Sequence, residues 1–429
     1  MGPALEMYQN LMNIFLAAIP KNVYGDRRRV EVFVWGIVGL CMTKTANFNK
    51  WGEVVISRAV YADSHTRRFS RWLENEFVDP IAFYAPLLQQ ALADWPQDQR
   101  YFVSLDTSDL GNGYILIRSS LVYRGRAIPI SWHVIKHGSA TVAFVEYESV
   151  LSQVLNALPK GADIVFLADR GFVHKEFVRF CRQHHVHFRI RVKSNTLIRF
   201  SDRCVLHARD LRPPSGWAQF YNNVSILSQG IGSINLAAAN APDAKDIWYI
   251  ITDEAADIET LDDYSYRFDI EQNFLDDKSN GFQVESSKLD DADKLSRLFL
   301  ILAAATLYFT TVGVGVINLK KRRWVDSHWD RGMSYFKIGW QWLRQQFYKG
   351  WPKINWFWLD PLPDPEPAIA SRKRASQKKR VWTVLHQRPP TPPEHQQLSL
   401  DLVLLPLNSS ERTKLIPLAP ANCACTCNY

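Results

Sequence analysis

Two short apolar runs, residues 101–106 (YFVSLD) and 164–169 (IVFLAD), each end in an aspartate. Their length and their Val, Ile and Phe content read as buried strands. Between them lie two further strand-like stretches, 114–117 and 127–135, joined by a turn at Arg124, Gly125 and Arg126. A helical stretch follows at 141–158, closed by Pro159 and Gly161. After the second run come a helix over 174–185 and a fifth strand over 187–192. Three strands, a helix, a strand, a helix and a strand point to a sheet with helices on its faces, so the fold class is α/β. Asp106 and Asp169 then fall at strand ends, where loops expose them.

The chain has 429 residues, 47% hydrophobic and 13% aromatic, which excludes a disordered protein and a small scaffold dependent on staples. Residues 1–95 read as a helical N-terminal domain, with apolar residues at helical spacing over 5–15 and 30–42. Within it, 51–76 holds a candidate helix-turn-helix. Ser64 would cap a helix whose inner face is Phe69, Trp72, Leu73 and Phe77, leaving Arg67, Arg68 and Arg71 outward to meet DNA; an ordinary amphipathic helix gives the same pattern. Residues 96–193 form the first part of the core and 194–253 a β-rich insertion subdomain. Residues 254–350 form the second part with C-terminal helices, led by Thr260 as a cap with Asp263 three residues on. Residues 351–429 form a basic, Pro-rich tail, expected to be flexible, with Pro-rich stretches at 361–367 and 389–393 and a basic run from Arg372 to Arg380.

Charge is unevenly spread. Residues 320–380 contain fifteen Lys or Arg against five Asp or Glu, a surplus of ten in a chain of net charge +8, together with seven of its fifteen tryptophans. This points to a polyanion, nucleic acid first. Residues 298–317 are uncharged and precede Lys320, Lys321, Arg322 and Arg323, as in a membrane helix. Thr306, Tyr308, Thr310, Thr311, Gly313 and Gly315, with no second such stretch, favour a buried core helix and no membrane partner. Six cysteines, three of them in the last seven residues, and no secretory signal point to a reducing, cytoplasmic setting. Cys181, His184, His185 and His187 offer zinc-ligand types but straddle a helix end and a strand; Cys423, Cys425 and Cys427 form a CxCxC tail.

Tyr264, Arg267, Glu271 and Lys278 project within an arc of about 60° on one helix. An acid among two cations and a phenol suits a phosphodiester site, the acid on a metal ion and the rest on phosphate oxygens; a surface with an Arg267–Glu271 ion pair is the plain alternative. Asp106 and Asp169 would supply two more oxygen ligands for a pair of Mg²⁺ or Mn²⁺ ions; a turn or helix-cap aspartate is the plain alternative for Asp106, and Asp109 and Asp163 are near alternatives.

On this core, Asp106, Asp169 and Glu271 resemble the acids of DDE transposases of the RNase H-like superfamily. The chain is most similar to the bacterial insertion-sequence group with a Tyr-x2-Arg-x3-Glu-x6-Lys signature, matched in full at Tyr264, Arg267, Glu271 and Lys278. Asp169-Arg170-Gly171-Phe172 matches the group's aspartate, glycine and aromatic, and 194–253 sits where the group carries a β-rich insertion. The resemblance implies an RNase H-like mixed sheet with flanking helices, interrupted by that insertion. It also implies a DNA transposase acting on terminal inverted repeats, with two Mg²⁺ or Mn²⁺ ions on the three acids. Tyr264, Arg267 and Lys278 would grip phosphates with help from Arg170. Trp248, on a return strand, would hold a displaced base or serve simply as a core tryptophan. A homodimer on double-stranded DNA, at the bacterial nucleoid, is implied as well. The alternatives are a non-transposing RNase H-like nuclease and a catalytically silent DNA-binding regulator.

Overall fold

Helices α1 (Pro3–Ala18), α2 (Lys21–Tyr24), α3 (Arg27–Thr43), α4 (Ala62–Leu73) and α5 (Pro80–Ala91) precede the sheet. A computed structural model of the chain describes residues 2–57, 59, 61–242, 246–278, 281–367, 383–386 and 401–402. The arginine-bearing helix α4 starts at Ala62 with Tyr61 at its N-cap, so Ser64 lies inside the helix and does not cap it. Its buried stripe is Phe69, Trp72 and Leu73 only. Phe77 lies beyond the helix end and is 73% exposed, with the Arg29 guanidinium 4.8 Å over its ring.

The strands follow as β1 (Arg100–Gly111), β2 (Tyr114–Tyr123), β3 (Arg126–Lys136), then α6 (Phe144–Ala157), β4 (Asp163–Ala168), α7 (Lys175–Gln183) and β5 (His187–Arg191). Antiparallel β1, β2 and β3 join parallel β4 and β5 in the order β5-β4-β1-β2-β3, the mixed sheet with flanking helices expected for an RNase H-like core. One difference matters for the site. β1 does not stop at Asp106: its pairing with β2 runs on through Thr107↔Ile117 and Asp109↔Ile115. The apolar pattern ends at Asp106 because the pairing with β4 ends there, at Leu105↔Ala168.

The insertion continues the same sheet. It contains β6 (Leu197–Arg199), β7 (Val205–His207), β8 (Trp217–Ile226), β9 (Ile231–Ala239) and β10 (Trp248–Thr252). Antiparallel pairing of β10 with β5 on one side and β9 on the other joins β8 and β9 to the core strands. Next come α8 (Ile258–Ser265), α9 (Asp269–Asp277), α10 (Ala292–Asn318) and α11 (Tyr335–Lys349). The cap of α8 is Asp257, with Thr260 as its capping-box partner at N3, so Thr260 itself does not begin the helix. Two short strands, β11 (Thr383–His386) and β12 (Asp401–Leu402), add to the sheet edge beyond β8. The basic run 372–380, Pro-rich 389–393 and Cys423, Cys425 and Cys427 lie outside the described residues.

Helix α10 is apolar and long enough to cross a membrane, yet its apolar window is wholly buried. It packs on β3, α3, α5 and α11, so residues 1–95 share one core with the C-terminal helices. Arg297 of α10 holds the end of α4 through Leu73 O (3.0 Å) and Val78 O (3.2 Å). The glycines mark where α10 meets α11. A Cβ on Gly339 would lie 1.8 Å from Phe309 O, and one on Gly313 2.0 Å from Tyr335 O. Residues 351–367, expected in the tail, instead strap across this body. Ile354 and Leu359 are buried, Leu359 N donates to Ala91 O (2.7 Å) and Trp95 Nε1 to Leu359 O (2.7 Å).

At the β4 start and β10 end, an ion network fastens the extension to the core. Arg100 pairs with Asp163 (2.6 Å) and Glu254 (2.8 Å); Arg189 pairs with Glu254 (2.6 Å) and Asp263 (3.4 Å); His187 pairs with Asp253 (2.8 Å). Burial works to raise the Glu254 carboxyl, but bonds from Arg100 and Arg189 outweigh it and hold it at about 2. The folded chain therefore keeps Glu254 ionised where the unfolded chain takes up a proton. Its contribution is complete above about pH 4.5 and drains away as pH falls toward 2. Glu254→Gln is expected to cost about 1–3 kcal/mol at pH 7 and much less at pH 3, read as thermal unfolding of both proteins at each pH. An equal cost at both values would contradict this reading.

Candidate active site

Parallel pairing of β1 with β4 ends at Leu105↔Ala168, so Asp106 and Asp169 emerge side by side from the carboxyl end of that pair. Asp106 Oδ1 accepts from Thr107 N (2.8 Å), and its Oδ2 accepts from Arg267 Nη1 (3.0 Å). Asp169 opens a 3₁₀ turn at Arg170–Phe172, its Oδ1 accepting from Gly171 N (2.7 Å). A Cβ at position 171 would lie 3.0 Å from that oxygen and crowd the Asp169 carboxylate. Arg170 is exposed beside Asp169. Asp109, the near alternative to Asp106, is exposed and bonds Gly111 N (2.8 Å), while Asp163 belongs to the ion network.

The Tyr-Arg-Glu-Lys residues do not share one exposed helix face. Helix α8 ends at Ser265, a 3₁₀ turn spans Tyr266–Phe268, α9 begins at Asp269, and Lys278 is its C-cap. The tighter turn breaks the single helix, and the four side chains differ in burial. Tyr264 is wholly buried and Arg267 is 6% exposed, while Glu271 stays half in solvent. Arg267 Nη2 donates to Glu271 Oε1 at 2.6 Å, so one guanidinium bridges Glu271 and Asp106. Lys278 Nζ donates to Asp109 O (2.5 Å), tying the end of α9 to β1. Of the two places open to Trp248, displaced-base platform or core tryptophan, it occupies the core in this structure. It is 6% exposed, in ring contact with Tyr264 (5.4 Å) and Phe268 (5.8 Å), because β10 turns it under α8. On α4, Arg67 and Arg71 are exposed and Arg68 half-buried, with Arg67 paired to Asp63 (2.7 Å). Cys181 is buried, and no metal-binding His/Cys/Asp/Glu group forms among the described residues.

The electrostatics show how crowded the acids are. Burial pushes the Asp106 carboxyl up to about 6, with Asp169 and Glu271 adding repulsion and Arg267 and Thr107 opposing it. Burial alone would lower Arg267; Tyr264, Asp106 and Glu271 overcome it and hold the guanidinium charged. Burial also pushes the Tyr264 phenol up to about 12.

A second layer under Glu271 was not read from the sequence. Arg118 on β2, opposite Asp106 across the β1–β2 ladder, reaches Asp277 at 2.5 Å with side chains 2% and 4% exposed. Its guanidinium lies 4.5 Å over Phe274. Arg126 pairs with Asp276 (3.5 Å) and bonds Gln272 (3.2 Å). Burial raises both Asp276, to about 6, and Asp277. The legible signal was an arginine inside YILIRSSLVY, where a charge needs a buried partner.

Residues 129–308 match a family model described as the transposase DDE domain. That span contains Asp169, Glu271 and the Tyr264–Lys278 signature, and begins after Asp106. Among solved structures, the chain is similar to a cryo-EM structure of the piggyBac transposase synaptic complex with hairpin DNA. The identity is 10%, covering 88% of this chain and 89% of that one, with a TM-score of 0.41. No protein with a curated description matches.

Because α9 is clamped through a buried charge pair, Arg118→Met should leave Asp277 uncompensated and cost about 3–5 kcal/mol of unfolding free energy. Adding Asp277→Leu should restore most of it. Urea unfolding of the three proteins checks this, and a double variant no more stable than Arg118→Met would contradict it.

Proposed function

We propose that the chain is a DNA transposase that binds the terminal inverted repeats of its element, cuts at the ends and transfers the 3′ hydroxyls into target DNA. The observation that carries this reading is the Arg267 guanidinium bridging Asp106 and Glu271, with Asp169 following the strand paired beside Asp106, in a chain whose residues 129–308 match the transposase DDE domain.

Three carboxylates are the hard oxygen donors that Mg²⁺ or Mn²⁺ requires, and Arg267 already supplies positive charge where Asp106 and Glu271 converge. Two such ions on Asp106, Asp169 and Glu271 would supply an activated oxygen nucleophile and charge stabilisation at the leaving oxygen. The remaining work falls to the chain itself. Half-exposed Glu271 can leave Arg267 and turn toward the aspartates, freeing the guanidinium for a phosphate oxygen. Arg170, exposed beside Asp169, and Lys278, at the end of α9, flank the same scissile strand. Buried Tyr264 backs Arg267 rather than gripping phosphate from solvent, and Trp248 supports this wall. Arg67, Arg68 and Arg71 on α4 present cations for duplex phosphates. Two ends must be held together, so the acting form is a homodimer, working at the bacterial nucleoid in the cytoplasm.

On a duplex carrying the element's own terminal repeat, Mg²⁺ should produce nicks at the repeat edge that EDTA abolishes. Asp169→Asn should bind the duplex as the parent does and cut at below about one hundredth of its rate. Cutting without preference for the repeat would favour the RNase H-like nuclease, and specific binding with no cutting in Mg²⁺ or Mn²⁺ would favour the silent regulator. Normal cutting by Asp169→Asn would sink the assignment of the acids.

A further inference from the structure

Beyond the acids, one loop spends its buried polar groups on presenting a tryptophan to water. The loop between α10 and α11 is clamped by two buried arginines. Arg322 donates to His328 O and Trp329 O (2.9 Å each) and pairs with Glu366 (2.6 Å). Arg331 pairs with Asp364 (2.7 Å) and donates to Met333 O (2.8 Å). Buried Asp326 accepts from Gly332 N (2.8 Å) and His328 N (3.2 Å). Such a fixed loop could have turned its largest side chain inward. Instead Trp329 is 79% exposed, with the Arg323 guanidinium 4.9 Å over its ring.

The surroundings repeat the pattern. Trp324 is 54% exposed and stands on Trp342 and Trp351, with ring centres 5.6 and 5.3 Å away. Lys321 Nζ lies 5.5 Å from the Trp324 ring, and Lys320 and Arg323 are exposed. No acid of this loop neutralises them all: Asp326 is committed to Arg322 and backbone amides. Asp330 is the loop's exposed acid. By sequence, six more cations follow the strap, from Arg372 to Arg380. The clamp adjoins the β2–β3 turn, since Arg331 and Arg124 both cover Tyr335 (4.6 and 5.2 Å) and Tyr335 meets Tyr123. That is the Arg100 end of β1, opposite the end that carries Asp106 and Asp169.

We infer that this surface is a second DNA contact, for a single-stranded segment. An unpaired base stacks on Trp329 while Lys320, Lys321 and Arg323 hold its phosphates. Aromatic faces rimmed by cations are how single strands are held without regard to sequence, and the preset loop lowers the ordering cost of binding. The surface lies apart from the acids, so it neither needs nor supplies their chemistry.

The test is fluorescence anisotropy of the full chain with labelled oligothymidylate in EDTA, where no cutting can occur. Trp329→Ala should weaken binding about tenfold, and Trp329→Phe should keep most of it. Arg323→Gln should also weaken binding and make its salt dependence shallower by about one ion. Because Trp329 is exposed, Trp329→Ala should unfold at the parent's temperature, which separates lost contact from lost fold. Unchanged affinity in both variants would overturn the inference. So would an equal loss on fully paired duplex, which would leave a phosphate surface with no base contact. Loss of binding to phosphatidylglycerol vesicles with DNA binding intact would make it a lipid surface and overturn it equally.

Discussion

The site depends on where one parallel strand pair runs out. β1 and β4 stay in register to Leu105 and Ala168, both fully buried, and the next residue of each strand is an aspartate. No loop has to be ordered to bring Asp106 and Asp169 together; sheet pairing does it. Two carboxylates so placed repel each other, and burial raises the cost, as the displaced titration of Asp106 shows. Arg267 answers that cost by bridging Asp106 and Glu271 from a tight turn between α8 and α9. The third acid therefore reaches the sheet through a cation, and the buried Arg118–Asp277 pair keeps its helix against β2. Preorganisation thus comes from the sheet and from the layer beneath α9, while the Glu271 side chain stands half in solvent.

Much of this arrangement is legible in the sequence. The strand-helix alternation from 101 to 192 carries clear hydrophobic periods, and buried parallel strands advertise themselves as unbroken apolar runs such as IVFLAD. What failed did so for physical reasons. β1 was read as ending at Asp106 because hydrophobicity reports side-chain burial, whereas Thr107 and Asp109 keep their backbone pairing with β2 while facing water or the site. At 3.6 residues per turn the four signature residues share one arc, but the 3₁₀ turn at Tyr266–Phe268 breaks that period. The Arg118–Asp277 pair spans 159 positions, and spacing rules cannot join residues so far apart.

The same limit explains the body around the sheet. Residues 1–95 and the helices after 290 look like separate units in sequence, yet α10 runs between them and both bury against it. Gly313 and Gly339 let α11 approach α10 at backbone distance, so Gly313, one of the residues that argue against a membrane segment, is a packing residue. Residues 351–367 read as the start of a flexible basic, Pro-rich tail, but Ile354, Leu359 and the acids Asp360, Asp364 and Glu366 pin them to the fold.

The proposed function requires Asp106, Asp169 and Glu271 to hold a divalent cation together, close to where Arg267 bridges Asp106 and Glu271. Calorimetric titration of Mn²⁺ into the full chain tests it most directly, without DNA and without turnover. The account predicts saturable binding that Asp106→Asn and Asp169→Asn each remove and that Arg267→Gln strengthens, since the competing cation is gone. Mn²⁺ binding that survives both aspartate substitutions, or that Arg267→Gln abolishes, would contradict it.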